Sequence, residues 1–160
     1  MDATDRKLLT LLQETTELSL AELAARVHLS PTPCWKRIQR LEREGIIQKR
    51  VALVCPEKLG LGLTVFVSIQ TDTHSAAWLE QFAATITAMP EVMEVYRMAG
   101  DVDYLLRVAV SDMTAYDAFY KRLIAIMPLK SVTSRFAMER IKATTAYPVP
   151  PAPSARGVER

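Results

Sequence analysis

Over residues 2–14, Leu8, Leu9, Leu11 and Leu12 follow a helical rhythm, with Asp2 placed as N-cap and Asp5 in the first turn. A second helix opens at Ser19. Glu22 stands three residues on, the spacing of a reciprocal capping box, and Leu20, Leu23, Ala24 and Val27 share one face. His28-Leu29 closes it. A third helix is capped by Ser30 or Thr32, with Pro31 or Pro33 in a first turn where a missing N–H is tolerated. Cys34, Ile38 and Leu41 recur at i, i+4 and i+7 and form its buried stripe, and Gly45 is a natural left-handed terminator. Ile46–Val54 then reads as a β segment ended by Pro56. Three short helices followed by a β segment predict a winged helix-turn-helix.

The stretch CPEKLGLGL (residues 55–63) punctuates the chain with Pro and Gly, and beyond it strands and helices alternate. Leu63–Gln70 is apolar and β-branched. Ala76–Ala88 carries Trp78, Leu79, Phe82 and Ile86 on one helical side and stops before Pro90. Val92–Met98 alternates as a strand, and Gly100–Asp103 turns into a second strand, Tyr104–Val110. Asp112 caps a helix through Met127 with Tyr116, Phe119, Tyr120 and Leu123 as its apolar side, and Val132–Thr144 is the final strand. The order β-α-β-β-α-β predicts a ferredoxin-like arrangement, with two helices on one face of a four-stranded antiparallel sheet. The expected class is α+β. Residues 1–54 are expected to form the winged helix-turn-helix domain, 55–61 a linker and 62–147 the second domain. A Pro-rich tail, 148–160, is expected to be disordered. The second face of the sheet needs a cover, and a homodimer supplies one.

Composition adds bounds. With 160 residues, 49% apolar and 24% charged, the chain has the make-up of a soluble globular protein that needs no staple. No apolar run reaches a membrane span, and the start is acidic where a signal peptide is basic. A cytoplasmic protein is expected, with no membrane partner. Two cysteines and two histidines lack metal-site spacing, so neither a metal, a cofactor nor a His-based catalytic cluster is expected. Cys34 tempts a redox reading, but its place in the buried stripe marks it as inert; the pattern does not decide whether Cys55 has any redox role. Lys36–Arg50 holds six basic residues against two acidic ones, an electrostatic footprint for phosphate. On a groove-reading helix that pattern points to double-stranded DNA. Lys36, Arg37, Gln39, Arg40 and Arg43 are read as facing away from the buried stripe, available to guanine edges or phosphates. Ser30, Thr32 and Pro33 at the helix start combine capping with a DNA contact. Trp35 either packs under the wing or touches the sugar-phosphate, and Lys49 and Arg50 suit phosphate contact from the wing.

Three strings carry a resemblance over residues 1–147: DRKLL in the first helix, LSLAELAARVHLSPTPCWKRIQRLEREGII through the helix-turn-helix, and MAGDVDYLLRV in the second domain. The chain resembles the Lrp/AsnC (feast/famine) family of transcription regulators. The resemblance implies dimers assembling to octamers or similar, a small amino-acid effector, and control of amino-acid metabolism genes. Within the family, TPCWKR, LGLGL and SRFAMERIK are similar to the branch of the cysteine-responsive detoxification regulator, which points to cysteine. One departure is that MPLKSVTSRF lacks the Gly that commonly follows the helix-ending Pro.

By residue type alone, Gly100, Asp101 and Asp103 are a hairpin turn. The resemblance makes this hairpin the lining of an effector cleft at a dimer interface, where a carboxylate and free N–H groups meet an amino acid. Met98, Ala99 and Tyr104 border it and either shape the pocket or serve as sheet core, and Thr133 and Ser134 offer hydroxyls. Two other readings remain beside the amino-acid-gated regulator: an architectural DNA-binding protein without effector, and a tetrapyrrole decarboxylase-like enzyme of related fold. The scarcity of imidazoles and the basic helix argue against the enzyme.

Overall fold

The computed structural model describes residues 1–126 and 128–151, in two compact units. The first comprises residues 1–53 together with 142–151, and the second comprises Val54–Ile141.

In the first unit, α1 (Ala3–Glu14) begins with the backbone N–H of Asp5 donating to the Asp2 carboxylate at 2.8 Å. The Asp5 carboxylate returns the bond to the N–H of Asp2 at 2.9 Å. α2 (Leu20–Arg26) starts with the same device, Ser19 and Glu22 exchanging backbone bonds. α3 (Pro31–Arg43) follows after a turn in which His28 adopts φ 57°, the left-handed position usual after a helix end. Leu8, Leu23, Ala24, Val27, Cys34 and Ile38 form the core between the helices. Gly45 ends α3 at φ 70°, as its position suggests.

The expected β segment Ile46–Val54 does not form. It carries no secondary structure, and every strand of the sheet lies in the second unit. Its β-branched and apolar residues suit a strand, but a strand exists only when a neighbour takes its N–H and C=O groups. The Ile46 and Ile47 N–H groups turn back to the Leu41 carbonyl of α3, at 2.9 and 3.1 Å, no strand pairs with the segment among the described residues, and Leu53 is left 71% exposed.

The second unit opens with a 3₁₀ turn at Glu57–Leu59. Then come β1 (Leu63–Gln70), α4 (Ala76–Thr87), β2 (Val92–Arg97), β3 (Tyr104–Val110), α5 (Met113–Ile126) and β4 (Ser131–Phe136). The sheet is antiparallel in the order β2-β3-β1-β4, the ferredoxin-like layout. Val65, Val67, Ile69, Leu106 and Val108 point to the face on which Phe82, Ile86, Phe119 and Leu123 of the two helices pack. β4 is shorter than the expected Val132–Thr144. Its only neighbour among the described residues is β1, and the last bond across is from Ala137 N–H to the Thr64 carbonyl at 2.9 Å, one residue from the start of β1 at Leu63. The opposite face alternates with the core residues and carries Phe66, Ser68, Leu105, Arg107, Thr133 and Arg135.

The segment after β4 departs from the expected boundaries. Residues 142–151 group with the first unit, where Gln13 grips the Tyr147 peptide on both sides. The Gln13 amide donates to the Tyr147 carbonyl at 3.1 Å and accepts from its N–H at 2.7 Å. Arg6 donates to the Pro150 carbonyl. Pro148–Pro151, expected in the disordered tail, thus lie along this unit; the rest of that expectation, 152–160, falls outside the described residues.

Candidate nucleic-acid interface and effector hairpin

At about 100° per residue, the α3 face opposite Cys34, Ile38 and Leu41 belongs to Thr32, Lys36, Gln39 and Arg43. All four are exposed. Lys36 and Arg43 have no ion-pair partner among the described residues, whereas the Gln39 amide donates to Glu42 at 2.9 Å. Trp35, on one flank, is 51% exposed. Arg50 is tied to Glu42 at 2.7 Å, while Lys49 remains unpaired among the described residues. Ser30 caps the helix without a side-chain hydrogen bond, because Pro33 at N3 has no N–H to offer its hydroxyl. With Pro31 at N1 as well, Thr32 supplies the one free N–H of the first three helical positions. The helix terminus is a weaker anion site than its position suggests.

Arg37 and Arg40 are the correction. The sequence reading faces them to the groove; they lie on the other flank and turn toward α1. Arg37 Nη1 sits 2.6 Å from Asp2 Oδ2 and 2.8 Å from Asp5 Oδ1, and Arg40 Nη2 sits 2.5 Å from Asp5 Oδ2. The physical reason is Asp5 itself, whose side chain is 1% exposed. A buried carboxylate without compensation is costly, and two guanidiniums supply the compensation. Burial pushes the Asp5 carboxyl up. The Asp2 N–H and the guanidiniums of Arg37 and Arg40 outweigh it and hold the group below the usual range. Asp2 is held at about 2, first by the Asp5 N–H and then by Arg37. Cys34 is fully buried and burial pushes its thiol up, which suits packing rather than reactivity. Cys55 is exposed.

In the second unit the β2–β3 connection exposes Met98, Ala99, Gly100 and Asp101. Gly100 holds φ 137°, a conformation that disfavours any Cβ, although nothing lies within 4 Å of where one would stand. The backbone N–H groups of residues 99–102 have no partner among the described residues. Asp103 is committed to structure: its N–H donates to the Ile69 carbonyl at 2.9 Å and its carboxylate accepts from the Thr71 N–H at 2.8 Å. His74 stands 3.9 Å from the other oxygen. Tyr104 is core, packed against the stacked Trp78 and Phe82 with ring centroids 5.8 and 4.6 Å away. Ser134 points to the helix face and pairs with the Tyr116 hydroxyl. Thr133 is exposed on the opposite face, beside Ser68 in register. Of the eight residues expected around an effector, Met98, Ala99, Gly100, Asp101 and Thr133 are therefore accessible. Asp103, Tyr104 and Ser134 are occupied by structural bonds or core packing. Among the described residues, no cluster of three metal-ligating side chains forms, and no helix is long and apolar enough to cross a membrane.

Residues 1–48 match the winged helix-turn-helix DNA-binding family, and residues 64–147 match the Lrp/AsnC ligand binding domain. The chain belongs to the Lrp/AsnC family. It is 56% identical over 150 residues to the DNA-binding transcriptional activator DecR of Escherichia coli K12, covering 93% of this chain and 99% of that protein. The glutamate uptake regulatory protein of Zymomonas mobilis is 44% identical, with 94% and 92% covered. Among solved structures, an AsnC family transcriptional regulator from Agrobacterium tumefaciens is 56% identical with a TM-score of 0.90, covering 92% of this chain and 97% of that one. A transcriptional regulator of Neisseria meningitidis in complex with L-Met is 38% identical with a TM-score of 0.87, covering 92% and 96%. This Lrp/AsnC chain is thus a DNA-binding transcriptional regulator with a ligand-binding domain.

Sequence reasoning missed the Asp2/Asp5 receptor for Arg37 and Arg40 and the Gln13 clamp on Tyr147. The partners are separated by 32 to 35 positions in the first case and 134 in the second, beyond the reach of periodicity.

Proposed function

We propose that this Lrp/AsnC regulator reads double-stranded DNA with Thr32, Lys36, Gln39 and Arg43 of α3, with Ser30, Trp35 and Lys49 contacting the backbone around them. It controls amino-acid metabolism genes from the cytoplasm and catalyses no reaction. The observation that carries the reading is that Lys36 and Arg43, on the α3 face opposite the buried stripe, have no ion-pair partner among the described residues. A guanidinium or ammonium without an internal partner is free for guanine edges or phosphates.

The gate is a small amino acid at the exposed Met98–Asp101 turn, between effector domains of two copies. The free N–H groups of residues 99–102 suit its carboxylate and the Asp101 side chain its ammonium. The Neisseria relative in complex with L-Met supports an amino acid as the ligand class, and cysteine is the first to test. A homodimer, assembling further to an octamer or similar, covers the open sheet face.

Lys36→Ala and Arg43→Ala are expected to weaken operator binding, by ~1–3 kcal/mol where the lost contact is a guanine and with a salt slope shallower by about one where it is a phosphate. Fluorescence anisotropy across a salt titration measures both. Unchanged affinity and slope in both variants would overturn the assignment.

A further inference from the structure

Asp5 occupies a place that DNA reading alone does not require. Its buried carboxylate takes Arg37 on one oxygen and Arg40 on the other, and Asp2 takes Arg37 a second time. Four charges cancel within this cluster. Of the four basic side chains on α3, two are withheld from solvent phosphate by α1, and the remaining two, Lys36 and Arg43, are those on the outward face. The division matters because phosphate contacts raise affinity for any sequence equally, whereas base contacts separate one sequence from another. A helix offering all four cations freely would gain mostly in the first kind.

We infer that Asp5, with Asp2, is a specificity-determining positioning residue. By holding Arg37 and Arg40 against α1 it suppresses sequence-independent DNA binding and leaves discrimination to the outward face. The inference rests on α3 being the DNA-reading helix. Asp5 touches no DNA in this account and acts through the two arginines. A role confined to folding would lower affinity for all DNA together. The restraining role has the opposite sign for non-specific DNA.

The test uses the full chain and two duplexes, one of random sequence and one selected for binding by the parental protein. In Asp5→Asn the cluster loses its buried charge, and affinity for the random duplex is expected to rise severalfold at low salt. The salt slope should steepen by about one for each guanidinium released, and the ratio of selected to random binding should fall. Asp2→Asn is the second variant. Asn caps a helix as well as Asp does, so α1 keeps its start while Arg37 loses one carboxylate. The same changes are expected in smaller measure, and adding Arg37→Gln to Asp2→Asn should return the slope to the parental value. Lys36→Ala and Arg43→Ala run alongside. If both leave binding untouched, the DNA-reading assignment of α3 fails and the inference falls with it. If either weakens binding while folded Asp2→Asn and Asp5→Asn leave the slope and the ratio unchanged or bind both duplexes more weakly, the inference alone is overturned. Should Asp5→Asn not fold, the Asp2→Asn pair decides by the same criteria.

Discussion

Asp2 and Asp5 also set how the first unit responds to acid. Both carboxyls titrate in the folded chain below their unfolded value of about 3.9, Asp2 at about 2. Below the unfolded value the unfolded chain binds more protons, so stability falls as pH drops through this window. The contribution is complete above about pH 5 and gone below the folded values. Chemical denaturation of the parent and of Asp2→Asn is expected to show a stability gap at neutral pH that closes by about pH 2. A gap independent of pH would mean that the carboxylate's charge is not what holds Arg37. At this scale the sequence was informative where partners are close. The capping pairs Asp2/Asp5 and Ser19/Glu22, and the stripe Cys34/Ile38/Leu41, follow from spacing within one helix. The flank to which Arg37 and Arg40 turn depends on where α1 lies, which no periodicity within α3 encodes.

Helices and the strands β1, β2 and β3 were legible because each announces itself locally, by a cap, an apolar period or a terminating Gly or Pro. Ile46–Val54 and the far half of the expected last strand were not. Both carry residues that suit a strand, but strand formation is settled by a neighbouring strand, and neither pairs with one among the described residues. The connection from β4 back to the DNA-binding unit is a further element-scale feature that composition disguises. Pro148, Pro150 and Pro151 suggest disorder, yet the Tyr147 peptide is held by both ends of one amide, and Pro148, Val149 and Pro150 line a groove of about 880 Å³ with Leu9, Leu12 and Leu53. Gln13→Ala, or removal of the chain from Tyr147, is expected to destabilise the first unit by about 1 kcal/mol for the lost pair of bonds. Thermal unfolding measures it. A truncated chain as stable as the parent would show that the segment adds nothing by docking.

Over the whole molecule the chain passes from the first unit to the second near Val54 and returns near Lys142. The regulator therefore has a DNA-reading unit and a ligand-binding unit joined by two covalent connections. A ligand alters transcription only through unequal affinity for two states of such an assembly, so binding and operator affinity must be measured together. Gly100 is the position at which ligand response and DNA binding can be separated. Its φ of 137° leaves the turn open to a backbone contact, and Gly100→Val strains the turn without touching α3. The deciding measurement is operator affinity of the parent and of Gly100→Val, each with and without every one of the common amino acids, cysteine first. At least one amino acid is expected to shift the parental affinity severalfold, and Gly100→Val to bind the operator as the parent does but no longer respond. A parental affinity indifferent to all of them would contradict effector gating and leave an architectural DNA-binding protein. A full response in Gly100→Val would place the pocket elsewhere.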